Sequence, residues 1–197
     1  MFTHLIGLTG GIGSGKSAIA EGLRALGYPT YDSDRAAQSL INKNLAVRSQ
    51  IELLFGSDIY VNGEYDRQRV SGLVFADPQL LNKLNAIVHP AVMSDLRLWA
   101  KSQTARFSFI ESAILFESGL DKLCRATVCI TAPEELRIHR TIRRDNATEA
   151  QVLARIHNQM AEEERQKRAS WVIHNDRDAD IGELCLQIQK FCSTFVD

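Results

Sequence analysis

The sequence lacks most features that mark specialised protein classes. It contains only four prolines in 197 residues, and no repeat, low-complexity tract or Pro/Gly/Ser-rich linker divides it, which favours one cooperative body. No apolar run approaches the roughly 20 residues that span a bilayer, and no leader of signal-peptide type is visible at the N-terminus. We therefore predict a cytoplasmic protein with no membrane partner.

Neither sign of charge is in excess. Lys and Arg number 23 and Asp and Glu number 24, for a formal net charge of -1. Without a global positive field, nucleic acid is not an expected partner, so any bound anion must be held locally. The cysteines form no CxxC pair and no zinc-type spacing, which predicts reduced thiols at Cys124, Cys129, Cys185 and Cys192.

Short apolar runs alternate with helical patterns along the chain. The run His4–Thr9 stops at two glycines, and apolar residues then recur at helical spacing up to Leu26. Four further runs are predicted as strands, at Pro29–Asp32, Phe107–Ile110, Ala126–Thr131 and Trp171–His174. This alternation predicts an α/β three-layer fold with a five-stranded parallel sheet.

The stretch between the second and third predicted strands is too long for a simple crossover. We interpret residues 35–103 as a helical insertion, with a turn at Asn62-Gly63 and a helix start at Asp77-Pro78. His89 precedes Pro90, where another helix is expected to begin. On its own, His89 is interpreted as a structural residue.

One motif carries specific chemistry. Gly10–Ser17 (GGIGSGKS) matches G-x-x-x-x-G-K-[ST] and lies between a predicted strand and a predicted helix; we call it the phosphate loop. Glycines let successive backbone N–H groups face an anion at the helix N-terminus. Lys16 is predicted to reach the β- and γ-phosphates, and the Ser17 hydroxyl to join a hydrated Mg²⁺.

Missing motifs narrow the class of nucleotide protein. No Asn-Lys-x-Asp guanine reader follows Asn42-Lys43 or Asn82-Lys83, which argues against a GTPase switch. The third apolar run ends in Glu111 rather than Asp, and the chain is short for a motor or transporter ATPase. A small kinase is the natural candidate.

Two groups of charged residues suit phosphoryl transfer. Asp32 and Asp34 would share one face of an extended chain, beside the phosphate loop; the alternative is that Ser33 or Asp34 caps the next helix. Arginines at helical spacing suit the oxygens of a transferred phosphoryl group, and the alternative is a solvated face paired with nearby acids. These arginines are Arg137, Arg140 and Arg144, of which Arg140 and Arg144 are the chosen candidates. The charge run of residues 162–168 is predicted to be a solvated helix face.

The order of motifs resembles the dephospho-coenzyme A kinase family over nearly all the chain, from Ile6 to Asn175. The matching segments are Thr9–Ser17, Asp32-Ser33-Asp34, Asp66-Arg67 with Val74-Phe75, His89-Pro90, Ile114–Glu117, Arg140 with Arg144-Asp145, Arg155–Gln159, and Val172-Ile173 with Asn175. The family usually shows Asp-x-Pro where this chain has Glu111-Ser112-Ala113, and an Asp where it has Ser170.

The resemblance implies a P-loop NTPase fold and transfer of phosphate from Mg·ATP to the ribose 3′-hydroxyl of dephospho-CoA. It implies a core of residues 1–34, 104–136 and 169–197, an acceptor-binding insertion of residues 35–103, and a lid of residues 137–168. Asp32, Lys16, Arg140 and Arg144 take catalytic roles, and acceptor binding falls to Thr9, Asp32, Asp34 and His89. ATP binding falls to Gly11, Ile12, Gly13, Ser14, Gly15, Lys16, Ser17, Ala18 and, near the adenine, Asn175.

Two other functions are compatible with the residues alone. One is a nucleoside or nucleoside-monophosphate kinase of the same fold. The other is a non-catalytic nucleotide-sensing module, against which the carboxylates Asp32 and Asp34 argue. Transfer of labelled phosphate to different acceptors separates all three.

Overall fold

The computed structural model describes residues 3–176 and 179–195. It contains two compact units. The sheet unit comprises Met1–Asp32 and Ala100–Asp197, and the helical unit comprises Ser33–Trp99.

A parallel five-stranded sheet forms the centre of the sheet unit. Its strands are β1 (His4–Thr9), β2 (Thr30–Asp32), β5 (Phe107–Glu111), β6 (Ala126–Thr131) and β7 (Trp171–His174), in the spatial order β2-β5-β1-β6-β7. The five predicted strands are thus confirmed. The second begins one residue later than predicted, and the third extends to Glu111.

Helices cover both faces of this sheet. On one face, α1 (Lys16–Ala25) and α9 (Ile181–Ser193) pack against the sheet and form the hydrophobic core. The strands contribute alternate side chains to this core, namely Ile6 and Leu8 of β1 and Val128 and Ile130 of β6. On the other face, α8 (Glu162–Arg168) packs against β6. The remaining helices of this unit are α6 (Glu134–Asp145) and α7 (Glu149–His157). The three-layer α/β fold predicted from the alternation of runs is confirmed.

The helical unit contains α2 (Ser33–Lys43), α3 (Leu45–Phe55), α4 (Arg67–Ala76) and most of α5 (Pro78–Lys101). It also contains a small hairpin of β3 (Tyr60–Val61) and β4 (Glu64–Tyr65), which the sequence analysis missed. The predicted turn at Asn62-Gly63 is confirmed, with φ of 52° and 85° at its two residues, as a two-residue hairpin turn requires. Strands of two residues are too short for an alternating apolar pattern to be recognised in the sequence.

The helix expected to begin at His89-Pro90 does not exist as a separate element, and that prediction is wrong. Pro90 lies inside the 24-residue helix α5, where it removes one backbone donor. Val88, Val92 and Leu96 recur every fourth residue and are all buried. Their continuous apolar stripe stabilises the helix on both sides of the proline.

Within the described residues, every helix is too short or too polar to cross a bilayer. All four cysteines are free thiols, as predicted. Burial raises the pKa of Cys129 and Cys192 to about 12, so both thiols stay protonated at neutral pH.

Candidate active site

The phosphate loop has a conformation that only glycine tolerates at two positions. Gly13 and Gly15 have φ of 78° and 92°, in the region that side chains rarely adopt. A Cβ at Gly13 would lie 2.2 Å from the Arg137 carbonyl oxygen, and one at Gly15 would lie 2.0 Å from Asn175 Nδ2. Gly15 is also the N-cap of α1 and supplies no side-chain cap. The first-turn N–H groups and the helix dipole therefore suit an anion at this end of α1.

Glu111 binds both functional side chains of the phosphate loop. Its Oε1 accepts hydrogen bonds from Lys16 Nζ at 2.7 Å and from Ser17 Oγ at 2.6 Å, in a buried setting. Burial raises the pKa of Glu111, but the Lys16 charge and these two hydrogen bonds outweigh it and bring the pKa below its ordinary value of 4.5. Glu111 is therefore an ionised carboxylate that positions Lys16 and Ser17. No pattern in the sequence indicated a role for this residue.

Asp32 lies beside Glu111 at the carboxyl edge of the sheet. The two residues are register partners on β2 and β5, so their side chains emerge from the same face. Thr9 ends β1 at the same edge, and its buried hydroxyl has no hydrogen-bond partner among the described residues. Two carboxylates and a hydroxyl thus share one end of the sheet, and the roles of Asp32 and Thr9 in binding the acceptor stay predictions.

Asp34 does not continue the extended chain. Helix α2 begins at Ser33, so Asp34 lies in its first helical turn, and the expected strand alternation of Asp32 and Asp34 is wrong. A carboxylate in the first turn is favoured by the helix dipole, as in the capping alternative. Asp34 lines a cavity of the helical unit, and its role in binding substrate stays a prediction.

A buried cluster of charges supports the phosphate loop. Arg137 is 4% exposed and donates to Glu162 Oε2 at 3.2 Å. Arg165 is 1% exposed and donates to the same oxygen at 2.5 Å and to the Met160 carbonyl oxygen at 2.7 Å. A Cβ at Gly11 would lie 2.1 Å from Arg137 Nη1, so the loop backbone rests directly on this guanidinium.

Arg165 overturns the prediction that residues 162–168 form a solvated helix face. Most residues of α8 are exposed, but Arg165 is buried, and its pairing with Glu162 one turn away compensates its charge. Arg137 belongs to the predicted arginine stripe, and only its burial distinguishes it from Arg140 and Arg144. No spacing in the sequence signals which arginine of a stripe faces inward.

The chosen arginines Arg140 and Arg144 both lie on α6. Arg140 donates to the Asn175 carbonyl oxygen at 3.1 Å and to that of Asp176 at 3.3 Å. Arg144 forms a two-point pair with Asp145, with Nε at 2.7 Å from Oδ1 and Nη2 at 3.1 Å from Oδ2. The hydrogen bond from Arg144 lowers the pKa of Asp145. The catalytic roles of the two arginines stay predictions.

Two side-chain amides from residues distant in the chain contact the phosphate loop. Asn175 is 3% exposed and donates from Nδ2 to the Ser14 carbonyl oxygen at 2.8 Å. Gln159 Oε1 accepts from the Ile12 backbone N–H at 2.9 Å. Asn175 therefore holds the loop backbone; its proximity to the adenine, implied by the family resemblance, stays a prediction.

The predicted acceptor residue His89 lies on α5 in the helical unit. Its side chain is half-buried, and burial lowers its pKa below the ordinary value of 6.5. The imidazole is therefore neutral at pH 7.

The oxygens around Ser17 suit a magnesium ion. The Ser17 hydroxyl and the Glu111 carboxylate meet at 2.6 Å, and hydroxyl and carboxylate oxygens are ligands that Mg²⁺ prefers. In the described part of the chain, no cluster of three or more His, Cys, Asp or Glu side chains forms a dedicated metal cage. This agrees with a cation that keeps several waters and binds one or two protein groups together with phosphates.

Comparison with known proteins identifies close relatives. The dephospho-CoA kinase family model matches residues 4–180. A dephospho-CoA kinase of Bacteroides fragilis is 35% identical over 187 residues, covering 94% of this chain and 91% of the relative. A dephospho-CoA kinase of Thermus thermophilus is 41% identical over 172 residues, covering 87% and 82%. A crystal structure of a Thermus thermophilus protein matches all of both chains, with a TM-score of 0.87 and 34% identity.

Proposed function

The chain belongs to the dephospho-CoA kinase family, and on that basis we propose that it transfers the γ-phosphoryl group of ATP to the ribose 3′-hydroxyl of dephospho-CoA. The product is CoA, and the reaction is the final step of its synthesis. The observation that carries the proposal is the carboxylate pair Asp32 and Glu111 beside Lys16 and Ser17. An acceptor-side base and a phosphate-binding cation are the parts that phosphoryl transfer needs. The cytoplasmic location expected from the sequence stays a prediction.

The phosphate loop is the proposed triphosphate site. Backbone N–H groups at the start of α1, among them those of Lys16 and Ser17, would face the phosphates, and Gly13 and Gly15 let the backbone approach phosphate oxygens closely. Lys16 Nζ, which Glu111 orients, would bind the β- and γ-phosphates. Ser17 and Glu111 would hold Mg²⁺, which neutralises charge on the phosphates when bound.

Asp32 is the proposed base for the acceptor. Its carboxylate would accept the proton of the 3′-hydroxyl as that oxygen attacks the γ-phosphorus. The new oxygen–phosphorus bond forms while the bond from the γ-phosphorus to the bridging oxygen breaks, and ADP leaves with that electron pair. Since the transition state is loose, the carboxylate acts mainly by orienting the nucleophile.

Arginines of α6 would stabilise the transferred group. Arg140 and Arg144 are one turn apart on this helix, and guanidinium forks match phosphoryl oxygens in geometry and charge. We propose that residues 137–168 act as the lid that carries them. Arg144 would then exchange its exposed pairing with Asp145 for the phosphoryl group, a small loss because exposed ion pairs are weak.

The experiment is phosphate transfer from labelled ATP, with mass detection of the 3′-phosphorylated product. Dephospho-CoA, AMP and nucleosides are offered in parallel. Transfer to dephospho-CoA is expected to exceed the others by orders of magnitude. Preference for AMP or a nucleoside would instead indicate another kinase specificity, and tight ATP binding without any transfer would indicate a sensing module.

Asp32→Asn tests the catalytic assignment. The substitution keeps the size of the side chain and one acceptor oxygen but removes the base, so kcat should fall by about 10² or more, equivalent to ~3 kcal/mol of lost transition-state stabilisation. Affinity for ATP, measured by calorimetry, should stay unchanged because Asp32 is not part of the phosphate loop. A near-normal kcat in the purified variant would remove Asp32 from this role.

A further inference from the structure

One peptide unit of the phosphate loop is hydrogen-bonded at both of its polar groups. It is the unit that joins Gly11 to Ile12. Its carbonyl oxygen, that of Gly11, accepts from the Ser14 backbone N–H at 3.1 Å. Its N–H, that of Ile12, donates to Gln159 Oε1 at 2.9 Å. Because a peptide unit is planar, contacts at its two opposite edges fix its orientation about the chain.

A second fixed unit lies on the other side of Gly13. The carbonyl oxygen of Ser14 accepts from Asn175 Nδ2 at 2.8 Å. The peptide unit between Ile12 and Gly13 therefore lies between fixed neighbours. Its N–H, that of Gly13, is in hydrogen-bond contact with no acceptor among the residues that the structure describes. A backbone N–H left over in a glycine loop before a helix N-terminus is a donor for a phosphate oxygen.

These contacts remove a freedom that glycine gives to the loop. Gly11 and Gly13 flank Ile12 and lack a Cβ, so the backbone on either side can take left-handed as well as right-handed conformations. Without an acceptor from Gln159, the Ile12 N–H would turn toward water and the peptide unit would populate several orientations. Only a fraction of the molecules would then direct the Gly13 N–H toward a phosphate. The apparent affinity for ATP falls in proportion to that fraction.

Gln159 is itself held in place. It follows α7, and its backbone N–H donates to the Ile156 carbonyl oxygen at 3.1 Å. The next residue, Met160, accepts at its carbonyl oxygen from the buried Arg165 guanidinium at 2.7 Å. The Met160 backbone N–H donates to Glu117 Oε1 at 3.4 Å. Support of this kind around a side chain keeps the geometry of a binding site fixed.

We propose that Gln159 is a positioning residue of the triphosphate site. Its amide oxygen holds the Gly11–Ile12 peptide unit in the orientation that directs the Gly13 N–H toward a phosphate oxygen of ATP. Gln159 acts through the loop backbone and not by contact with the reacting atoms. This inference rests on the proposed function for the identity of the nucleotide.

The first test measures amide hydrogen exchange at Ile12 by NMR, in the full chain without nucleotide. Gln159→Met keeps the length of the side chain but removes the acceptor, so the Ile12 N–H should exchange about tenfold faster or more. Gln159→Glu keeps an acceptor oxygen and should leave the exchange rate within about twofold of wild type. Gln166→Met is the matched control and should also leave it within about twofold. Gln166 is half-buried like Gln159, but its side chain donates to Thr131 Oγ1 at 3.2 Å and not to the loop.

The second test measures the Kd for ATP with Mg²⁺ by calorimetry, without an acceptor. Gln159→Met should raise Kd about five- to tenfold, the effect of one lost hydrogen bond. Gln166→Met should leave Kd within about twofold. Since each variant loses one hydrogen bond of a half-buried glutamine, their free energies of unfolding in urea should fall by similar amounts. A difference between them in ATP affinity is therefore not a consequence of lost stability.

Kinetics with dephospho-CoA separate this proposal from the proposed function. Gln159→Met should raise the KM for ATP by the same factor as Kd. It should leave kcat and the KM for dephospho-CoA within about twofold, because saturating ATP repopulates the competent loop. Wild-type protein that binds ATP with these variant effects but does not phosphorylate dephospho-CoA would support the role of Gln159 and refute the reaction.

Three results would overturn the positioning role while leaving the reaction intact. One is an equal exchange rate at Ile12 in wild type and Gln159→Met. Another is an equal Kd for ATP in Gln159→Met and Gln166→Met. The third is a fall in kcat with an unchanged KM for ATP, because Gln159 would then act on the transferred group and not through the loop.

Discussion

The phosphate loop and the cavity of the helical unit are built in opposite ways. The loop lies against the buried residues Arg137, Asn175 and Glu111 and against the half-buried Gln159. The cavity is lined mainly by partly or fully exposed side chains of α2, α4 and α5. A triphosphate is the same in every kinase of this fold, so a rigid binding site suits it. The exposed side chains around the cavity can be changed with little effect on folding.

Lys16→Ala, a substitution in the phosphate loop, should have the largest effect on kcat. Loss of the ammonium should lower kcat by about 10² or more, ~3 kcal/mol in the barrier, with dephospho-CoA as acceptor. It also leaves Glu111 as a buried carboxylate without its partner, so chemical denaturation must show that the variant is folded. Lys190→Ala, an exposed lysine of α9, is the control. A folded Lys16→Ala enzyme with normal kcat would contradict the loop assignment.

Gly13→Ala should destabilise the phosphate loop, whereas the same substitution at a glycine of the helical unit should be tolerated. The positive φ costs about 1–2 kcal/mol, and the added Cβ meets the Arg137 carbonyl oxygen. Gly72→Ala in α4 meets no atom within 4 Å and should stabilise the protein by about 0.5–1 kcal/mol. The free energy of unfolding in urea measures both. Equal effects at the two glycines would mean that the loop is no tighter than the helical unit.

Arg137→Met and Arg144→Met compare a buried with an exposed arginine of α6. Arg137→Met should lower the free energy of unfolding by about 2 kcal/mol, because Glu162 loses one of two buried partners. Arg144→Met should change it by less than about 0.5 kcal/mol, since its pair with Asp145 is exposed, while kcat falls at saturating ATP. If Arg144→Met changed only the KM for ATP, Arg144 would be a ground-state binder.

Glu111→Gln should change the stability of the protein in a way that depends on pH, apart from any loss of kcat that follows because Glu111 also orients Lys16 and Ser17. The folded pKa of Glu111 lies below its unfolded value, so its contribution is present above pH 4.5 and is lost as the pH falls through the folded pKa. Unfolding free energies of wild type and Glu111→Gln, followed from pH 6 to pH 3, should therefore converge on acidification. A constant difference would mean that Lys16 and Ser17 do not depress this pKa.

Local patterns predicted most of the sheet unit. Apolar runs located five strands, and the G-x-x-x-x-G-K-[ST] motif located the phosphate loop, because both depend on residues adjacent in the chain. The hairpin at Tyr60–Tyr65 was missed because its strands have two residues each. Pro90 was wrongly predicted to begin a helix because helix propensity does not include the stabilisation that the buried apolar stripe around it gives.

The contacts that support the site were harder to predict. Glu111 lies 95 residues from Lys16 in the chain, and Asn175 lies 161 residues from Ser14. Their pairing depends on which strands become neighbours, and the order β2-β5-β1-β6-β7 does not follow the order of the chain. The burial of Arg137 and Arg165 likewise depends on how α6 and α8 pack.

The sequence by itself determined the parallel α/β architecture, the phosphate loop and the family resemblance, since periodicity and contiguous motifs are local properties of a chain. Only the tertiary structure decided that Glu111 orients Lys16 and Ser17, that Arg137 lies buried beneath the loop, and that Arg67 lines a cavity of the helical unit. Strand order and helix packing bring distant residues together, and burial then decides whether a charge is paired, solvated or available to a ligand.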